Sequence, residues 1–446
     1  MNRRDFLQIA AALGLTPDVA AQNDALAKRI SVGGVEFDPA SPPAGLVLRE
    51  SLGVVTVPEV HGQIIHHARD RNRGMYETRA VVTPKGDYLL MFPDGGHYGR
   101  QTEKVNDMLA YRSSDRGSTW TGPKVAFDID YNQHGFVPLI PRGTTRIYAF
   151  GTQPIPGLYT REHGQQENAP IGFRYSDDDG HTWSEVRLIR PSNDPDFKGM
   201  SVTRMTETAS GAWLIGSHNA DWSFKPLMTR QYVLRSADRG KTWAVVPGPR
   251  NGGWAAPCFN RMDEGRPIAL GGTNVLMLAR TPEGHLWSLR STDDGKTWSD
   301  PKPTPLVHPD APPMVFHLSD QRTLICFHHN RHQGSYSGLS GSMPGMADRS
   351  EIWFATSTDG GETWSEPRFV FANALGEGLG NRFRDYNCSY LDMIEDRGVI
   401  HLFVPHRWER VLHLTFNESD LRRFPPAKQI AGTRGLLRGR LPFDRS

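Results

Sequence analysis

The chain has 446 residues and a formal net charge of +2, so charge alone singles out neither nucleic acid nor an anionic membrane as a partner. Hydrophobic residues make up 37%, while 45 Gly, 33 Pro and 11 Trp suit short strands and many turns better than helices. No stretch is long and apolar enough to cross a bilayer as a helix. Cys258, Cys326 and Cys388 are odd in number and widely spaced, so no disulfide framework is expected.

At the N-terminus, Asn2-Arg3-Arg4-Asp5-Phe6-Leu7-Gln8 precedes a short apolar run, Ile9 to Leu15, and the small residues Val19-Ala20-Ala21. The pattern resembles a twin-arginine export signal, residues 1–21, cleaved near Ala21. It implies the twin-arginine machinery as a partner, folding before transport, and a periplasmic or secreted destination. A surface amphipathic helix is the other reading. Residues 22–45 are mixed polar with prolines and read as a linker or an outer strand.

From Leu46 a strand is expected to join the last unit of the fold. Paired apolar runs then follow: Arg79 to Thr83 with Tyr88 to Phe92, Phe136 to Ile140 with Ile147 to Phe150, and Val202 to Met205 with Trp213 to Gly216. The series continues with Cys258 to Met262 and Val275 to Ala279, then Met314 to Leu318 and Thr323 to Phe327. A last set comprises Asn387 to Met393, Val399 to Val404 and Val411 to Phe416, and residues 421–446, rich in Arg, Pro and Gly, read as a surface tail.

One phrase punctuates this series. Ser-x-Asp-x-Gly-x-Thr-Trp occurs at Ser113–Trp120, Ser176–Trp183, Ser236–Trp243, Ser291–Trp298 and Ser357–Trp364, with starts 63, 60, 55 and 66 residues apart. A repeat of this size marks an array whose units cannot bury their apolar faces alone. Asp can bond nearby backbone and Gly accepts positive φ, so the phrase predicts a hairpin turn between two outer strands, with Trp anchoring the next. A structural turn explains the repeated Asp better than calcium ligation does.

The phrase is the Asp-box, and the chain resembles the sialidase (neuraminidase) superfamily over roughly residues 50 to 420. The resemblance implies an all-β fold, a six-bladed β-propeller of four-stranded antiparallel blades over residues 46–420, with a seventh blade left open. Asp-boxes also occur in propellers with other functions, so the fold does not name the reaction.

A propeller sets the first strand of each blade around a central channel, so catalysis is expected where those strands open. Sialidase-like enzymes use three arginines to clamp a sugar carboxylate, a tyrosine nucleophile activated by a glutamate, and an aspartate as general acid. A tyrosine hydroxyl titrates near pH ~10 and needs a carboxylate to take its proton. Guanidinium forks match a carboxylate bidentately. The resemblance implies that Glu264, in Met262-Asp263-Glu264, is the activating glutamate and that Arg280, after Val275 to Ala279, is the second clamp arginine. It implies Arg349 as the third, and Tyr386, in Asp385-Tyr386-Asn387-Cys388-Ser389-Tyr390-Leu391, as the nucleophile.

Two slots depart from the family. In place of the first clamp arginine stands Met75-Tyr76-Glu77-Thr78-Arg79-Ala80, which puts Tyr76 or Glu77 in the slot with Arg79 on the same strand face as Glu77. No Asp stands at the general-acid slot near Arg100 and Gln101; Asp94, His97 and Glu103 lie nearby. His97 and His134 could act as acid or base at the channel mouth. In Cys326-Phe327-His328-His329-Asn330-Arg331-His332, Cys326 and His328 face away from His329 on a strand, so no metal is expected there, and no cofactor elsewhere. Three functions fit this pattern. One is an exported glycoside hydrolase acting on an acidic, sialic-acid-like or uronate-containing glycan. The others are a polysaccharide lyase on a uronate glycan and a non-catalytic glycan-binding propeller.

Overall fold

The computed structural model describes residues 26–431 except 28, 34, 69–76, 95–106, 130–133, 154–167, 222, 225–226, 249–251, 258–259, 331–348 and 377–387. The export-signal segment, His97, Tyr386 and residues 432–446 therefore lie outside the described residues.

Six antiparallel sheets follow one another in chain order as the blades of a propeller. Blade one comprises Arg79–Val82, Tyr88–Asp94, Asp107–Ser113 and Thr121–Asp128, and blades two to four repeat this meander. Each Asp-box joins the third strand of a blade to the fourth, as its turn chemistry requires. In the first box the Ser113 hydroxyl donates to Asp115 Oδ1 (2.8 Å) and accepts from the Gly117 N–H (2.7 Å). The Thr119 N–H and hydroxyl both donate to Asp115, at 2.8 and 2.6 Å. The other four boxes repeat these bonds around Asp178, Asp238, Asp293 and Asp359. The repeated carboxylates are thus occupied by the turn itself.

The box also binds one blade to the one before it. Within blade three, a Cβ on Gly240 (φ +83°) would lie 2.7 Å from the Trp213 ring, so this turn can close down on its own blade only as glycine. Trp243 of the same box packs on Phe150 of blade two, with ring centroids 6.1 Å apart. Trp120 of the first box stands edge-on to Phe403 of blade six, at 5.6 Å, so the same contact bridges the ends of the array.

Closure uses strands from both ends of the chain. His61–His67 pairs with Arg410–Asn417 as the outermost strand of blade six. The segment from Leu46 thus supplies the expected strand to the last blade, and its earlier strands Val47–Arg49 and Val54–Thr56 extend blade five against Arg368–Asn373. Residues Ile30–Val32 and Val35–Phe37, expected as part of a linker or an outer strand, form a hairpin whose Ile30, Val32 and Phe37 are buried in the core around Trp353 and Phe371. The stretch from Leu421 is not all surface tail either. Leu421, Phe424 and Ala427 are buried, with Phe424 against Phe354 and Phe416, because the apolar side chains among the arginines find blade five uncovered.

The inner strand of blade four is Asp263–Gly271, not the run Cys258 to Met262 expected from its apolar character. Its register against Asn274–Arg280 slips between Asp263 and Arg266, a bulge that no alternation pattern predicts.

Burial lifts the pKa of a carboxyl, whereas hydrogen bonds to its charged form lower it. The Thr119 and Thr242 hydroxyls, followed by backbone N–H groups, hold Asp115 and Asp238 down at about 2. A depressed carboxyl contributes stability that is complete above its unfolded value of ~3.9 and is lost as pH falls through the folded value. Asp238→Asn should therefore flatten the fall in unfolding free energy between about pH 4 and pH 2 relative to the parent. Urea titrations at several pH values would show this, and parallel curves would exclude it.

Candidate functional site

The residues that matter open the inner strands. Glu77 stands two positions before the strand Arg79–Val82, His134 two before Phe136–Leu139, and Tyr390 two before Asp392–Asp396. Glu264 sits in the bulge of blade four. That bulge is held from both sides: the Gly265 N–H donates to Gln231 Oε1 (2.6 Å) and the Gly265 carbonyl accepts from the Thr203 hydroxyl (2.6 Å). Glu264 and Tyr390 are both in the left-handed region, at φ +48° and +65°. Such strain in non-glycine residues persists only where surrounding contacts enforce it.

The Tyr390 hydroxyl donates to Glu264 Oε1 at 2.8 Å. Arg280 Nη1 donates to Glu264 Oε2 at 2.7 Å and lies 3.4 Å from the Tyr390 hydroxyl. Behind this triangle, Arg280 Nε donates to Asp310 Oδ1 (2.6 Å) and lies 3.4 Å from Asp263 Oδ1. Arg261 bridges the same two aspartates, at 2.9 Å to Asp263 and 3.0 Å to Asp310. All of these side chains are buried, so each charge depends on its partner.

Arg349 closes the group. Its Nη2 donates to the Asp310 carbonyl, and its guanidinium carbon lies 5.9 Å from the Tyr390 ring centre. Its Nε and Nη1 are buried without a hydrogen-bond partner among the described residues. Burial and then the Arg280 charge push the Arg349 guanidinium below its ordinary value. Arg349 is therefore a buried cation with two donors to offer to an incoming anion.

Across the opening, Glu77 lies between two cationic or potentially cationic groups. His134 Nδ1 is 2.7 Å from Glu77 Oε1, and Arg79 Nη2 donates to Glu77 Oε2. Arg79 also donates to the Thr78 carbonyl at 2.9 Å, so its charge is spent on its own strand opening. Glu77, His134 and Glu264 each place one ligand-type atom within 4.8 Å of the others and could offer three donors to a cation. Two of the three already oppose a guanidinium, which a metal ion would have to displace. In the Cys326 to His332 run, His328 and His329 turn to different carbonyls, of Val307 and Glu351; Arg331 and His332 lie outside the described residues.

The electrostatics keep Glu264 ionised. Burial raises its carboxyl, but Arg280 and the nearby histidines outweigh that and hold it below its ordinary value. Burial, and then the Glu264 charge, push the Tyr390 hydroxyl well above its ordinary value. At neutral pH the pair is thus a neutral phenol bonded to a carboxylate.

Of the residues singled out in the sequence, the structure brings Glu264, Arg280, Arg349, Glu77, Arg79 and His134 into one constellation. Tyr390 was not singled out, although its place two residues before an inner strand is shared with Glu77 and His134. Asp310, Asp263 and Arg261 carry no local signal, because their role is to balance charge across blades.

Removing one partner of a buried ion pair leaves an uncompensated charge and typically costs about 3–5 kcal/mol. Asp310→Asn leaves Arg261 and Arg280 short of a shared counter-charge and should destabilise the fold on that order, read by urea unfolding. A loss below about 1 kcal/mol would show that water already screens the cluster.

Comparison with known proteins agrees with this architecture. Residues 158–402, more than half of the chain, match the BNR repeat-like domain family. A xyloglucanase from Paenibacillus sp is 25% identical over 238 residues, 50% of this chain, and the match spans only 20% of that protein's length. Among solved structures, the NanB sialidase of Streptococcus pneumoniae superposes with a TM-score of 0.57 at 11% identity, covering 80% of this chain and 71% of that one. A leech intramolecular trans-sialidase gives 0.55 at 15% identity, covering 81% and 71%. A protein of unknown function from Dyadobacter fermentans gives 0.57 at 15%, covering 81% and 100%. At these identities the structural likeness shows the fold alone. The chain belongs to the BNR repeat-like domain family and is built as a six-bladed, sialidase-like β-propeller.

Proposed function

We propose that this chain is an exported glycoside hydrolase acting on an acidic glycan, with Tyr390 as nucleophile and Glu264 as the base that activates it. The observation that carries the reading is the 2.8 Å bond from the Tyr390 hydroxyl to Glu264, within a buried group that Arg280 ties together. In the first step the tyrosine proton passes to Glu264 as the phenolic oxygen attacks the anomeric carbon and the glycosidic bond breaks, the departing aglycone oxygen taking a proton from solvent. Water then attacks the same carbon, leaving its hydroxyl on the sugar and its proton to solvent, while the tyrosine oxygen departs and takes its proton back from Glu264.

Arg349 supports an acidic glycone, such as a uronic acid or a sialic-acid-like sugar. Its unpartnered Nε and Nη1 suit a carboxylate oxygen. A carboxylate that also drew on Arg280 would loosen the grip of Arg280 on Glu264 and make that carboxylate a better base. Glu77 in the slot of a clamp arginine disfavours a second negative charge on the far side. The sialidase and xyloglucanase names of the relatives support glycoside chemistry without choosing the sugar. The twin-arginine pattern at Arg3-Arg4 supports export.

A β-eliminating lyase on a uronate is the second reading, favoured by the His134–Glu77 pair beside the tyrosine. The two differ in product. Incubation with sialosides and uronate glycans, followed by mass spectrometry, should show products that gain water; an unsaturated end would establish the lyase, and saturable binding without product a lectin.

On a turned-over substrate, Glu264→Gln should lower kcat by about 10²–10⁴-fold, the usual worth of a positioned base. Tyr390→Phe should lose at least as much, while Tyr386→Phe should stay within about threefold of the parent, since no nucleophile is removed. Full activity in Tyr390→Phe would sink the proposal, and loss confined to Tyr386→Phe would move the nucleophile there.

A further inference from the structure

Further along the same inner strands lies a second charged group that the proposed reaction does not use. Arg266 follows Glu264 by two residues, Asp392 follows Tyr390 by two, and Arg204 stands on the inner strand Ser201–Glu207 of blade three. Arg266 is 4% exposed. A guanidinium carries five N–H donors. Among the described residues, the acceptor in reach of Arg266 is Asp392 Oδ1, 3.3 Å from Nη2, and its Nε has no partner.

Asp392 is already committed. Its Oδ1 takes a shorter bond, 2.7 Å, from Arg204 Nη1, and its Oδ2 accepts from the Ala80 N–H at 2.8 Å. Both guanidiniums stand over the Phe316 ring, 4.1 Å from its centre for Arg266 and 5.1 Å for Arg204. The face of an aromatic ring attracts a cation but accepts no full hydrogen bond from it. Arg79, on the next blade, has its charge met by Glu77 and contributes no acceptor. Two cations, Arg266 buried and Arg204 partly exposed, therefore share one carboxylate oxygen, and one positive charge is left over.

A buried guanidinium with a single long hydrogen bond is expensive unless an anion completes its shell. Burial and the Arg204 charge hold the Arg266 guanidinium well below its ordinary value, the direction that an unmet cation takes. The geometry points to a binding site for a small monovalent inorganic anion, of the chloride class, between Arg204 and Arg266 in the central channel. This site is separate from Arg349 and would be occupied whatever glycan the protein takes.

Crystals of the protein soaked in sodium bromide should show an anomalous peak in hydrogen-bond contact with both Arg204 and Arg266. In solution, the wild-type Tm should climb with the logarithm of chloride concentration at constant ionic strength set by gluconate, because an anion that binds only the folded chain stabilises it by mass action. The slope should vanish in Arg266→Met. If that variant does not fold, Arg204→Met and the wild-type soak decide the matter. No bromide at these residues, a peak at Arg349 alone, or an unchanged chloride slope in a folded variant would overturn the assignment.

Discussion

Ring closure is the contact on which everything else depends. Six sheets bring their inner-strand openings to one place only if the first blade meets the last. Here the meeting is made by the strand His61–His67 on the edge of blade six, by Trp120 against Phe403, and by Thr78, whose hydroxyl donates to the carbonyls of Tyr390 (3.1 Å) and Phe403 (2.6 Å). Thr78 lies between Glu77 and Arg79, so the contact that closes the ring also sets the distance between the Glu77 side of the channel and Tyr390.

Closure creates an electrostatic problem that the channel solves by pairing. Arg280 meets Glu264, Asp310 and Asp263; Arg261 meets two of the same acids; Arg79 meets Glu77; Arg204 meets Asp392. In a low-dielectric interior such pairs are held by mutual need more than by net gain. What distinguishes a binding position is then the charge left unpaired. Arg349 has two idle donors beside the tyrosine, and Arg266 has an idle Nε deeper along the strands. The first faces the proposed reaction and the second does not, and this separates the two anion-seeking positions.

The Asp-boxes serve this arrangement from a distance. Their carboxylates are consumed by the Ser, Gly and Thr of their own turns, which leaves nothing for a ligand. Their tryptophans fasten blade to blade. The candidate site lies instead at the inner openings, where Glu264 and Tyr390 hold left-handed backbone.

By itself the sequence determined the repeat and the hairpin turn within it, because turn chemistry is local and periodic, and its paired apolar runs counted out six blades; Glu264, Arg280 and Arg349 were singled out by resemblance to the sialidase superfamily, not by periodicity. It also brought Glu77 and Arg79 onto one strand face. Tertiary structure decided the rest. It paired Tyr390 with Glu264 through a bulge in blade four, which shifts register without leaving a periodic trace. It sent Val47–Arg49 and Val54–Thr56 to blade five and buried Phe424, because an uncovered apolar edge, not composition, selects the segment that covers it. The balancing of Arg261, Arg280 and Asp310 was invisible in the chain for the same physical reason: Coulombic partners are chosen by distance in space, and these come from strands and loops that only the closed ring brings together.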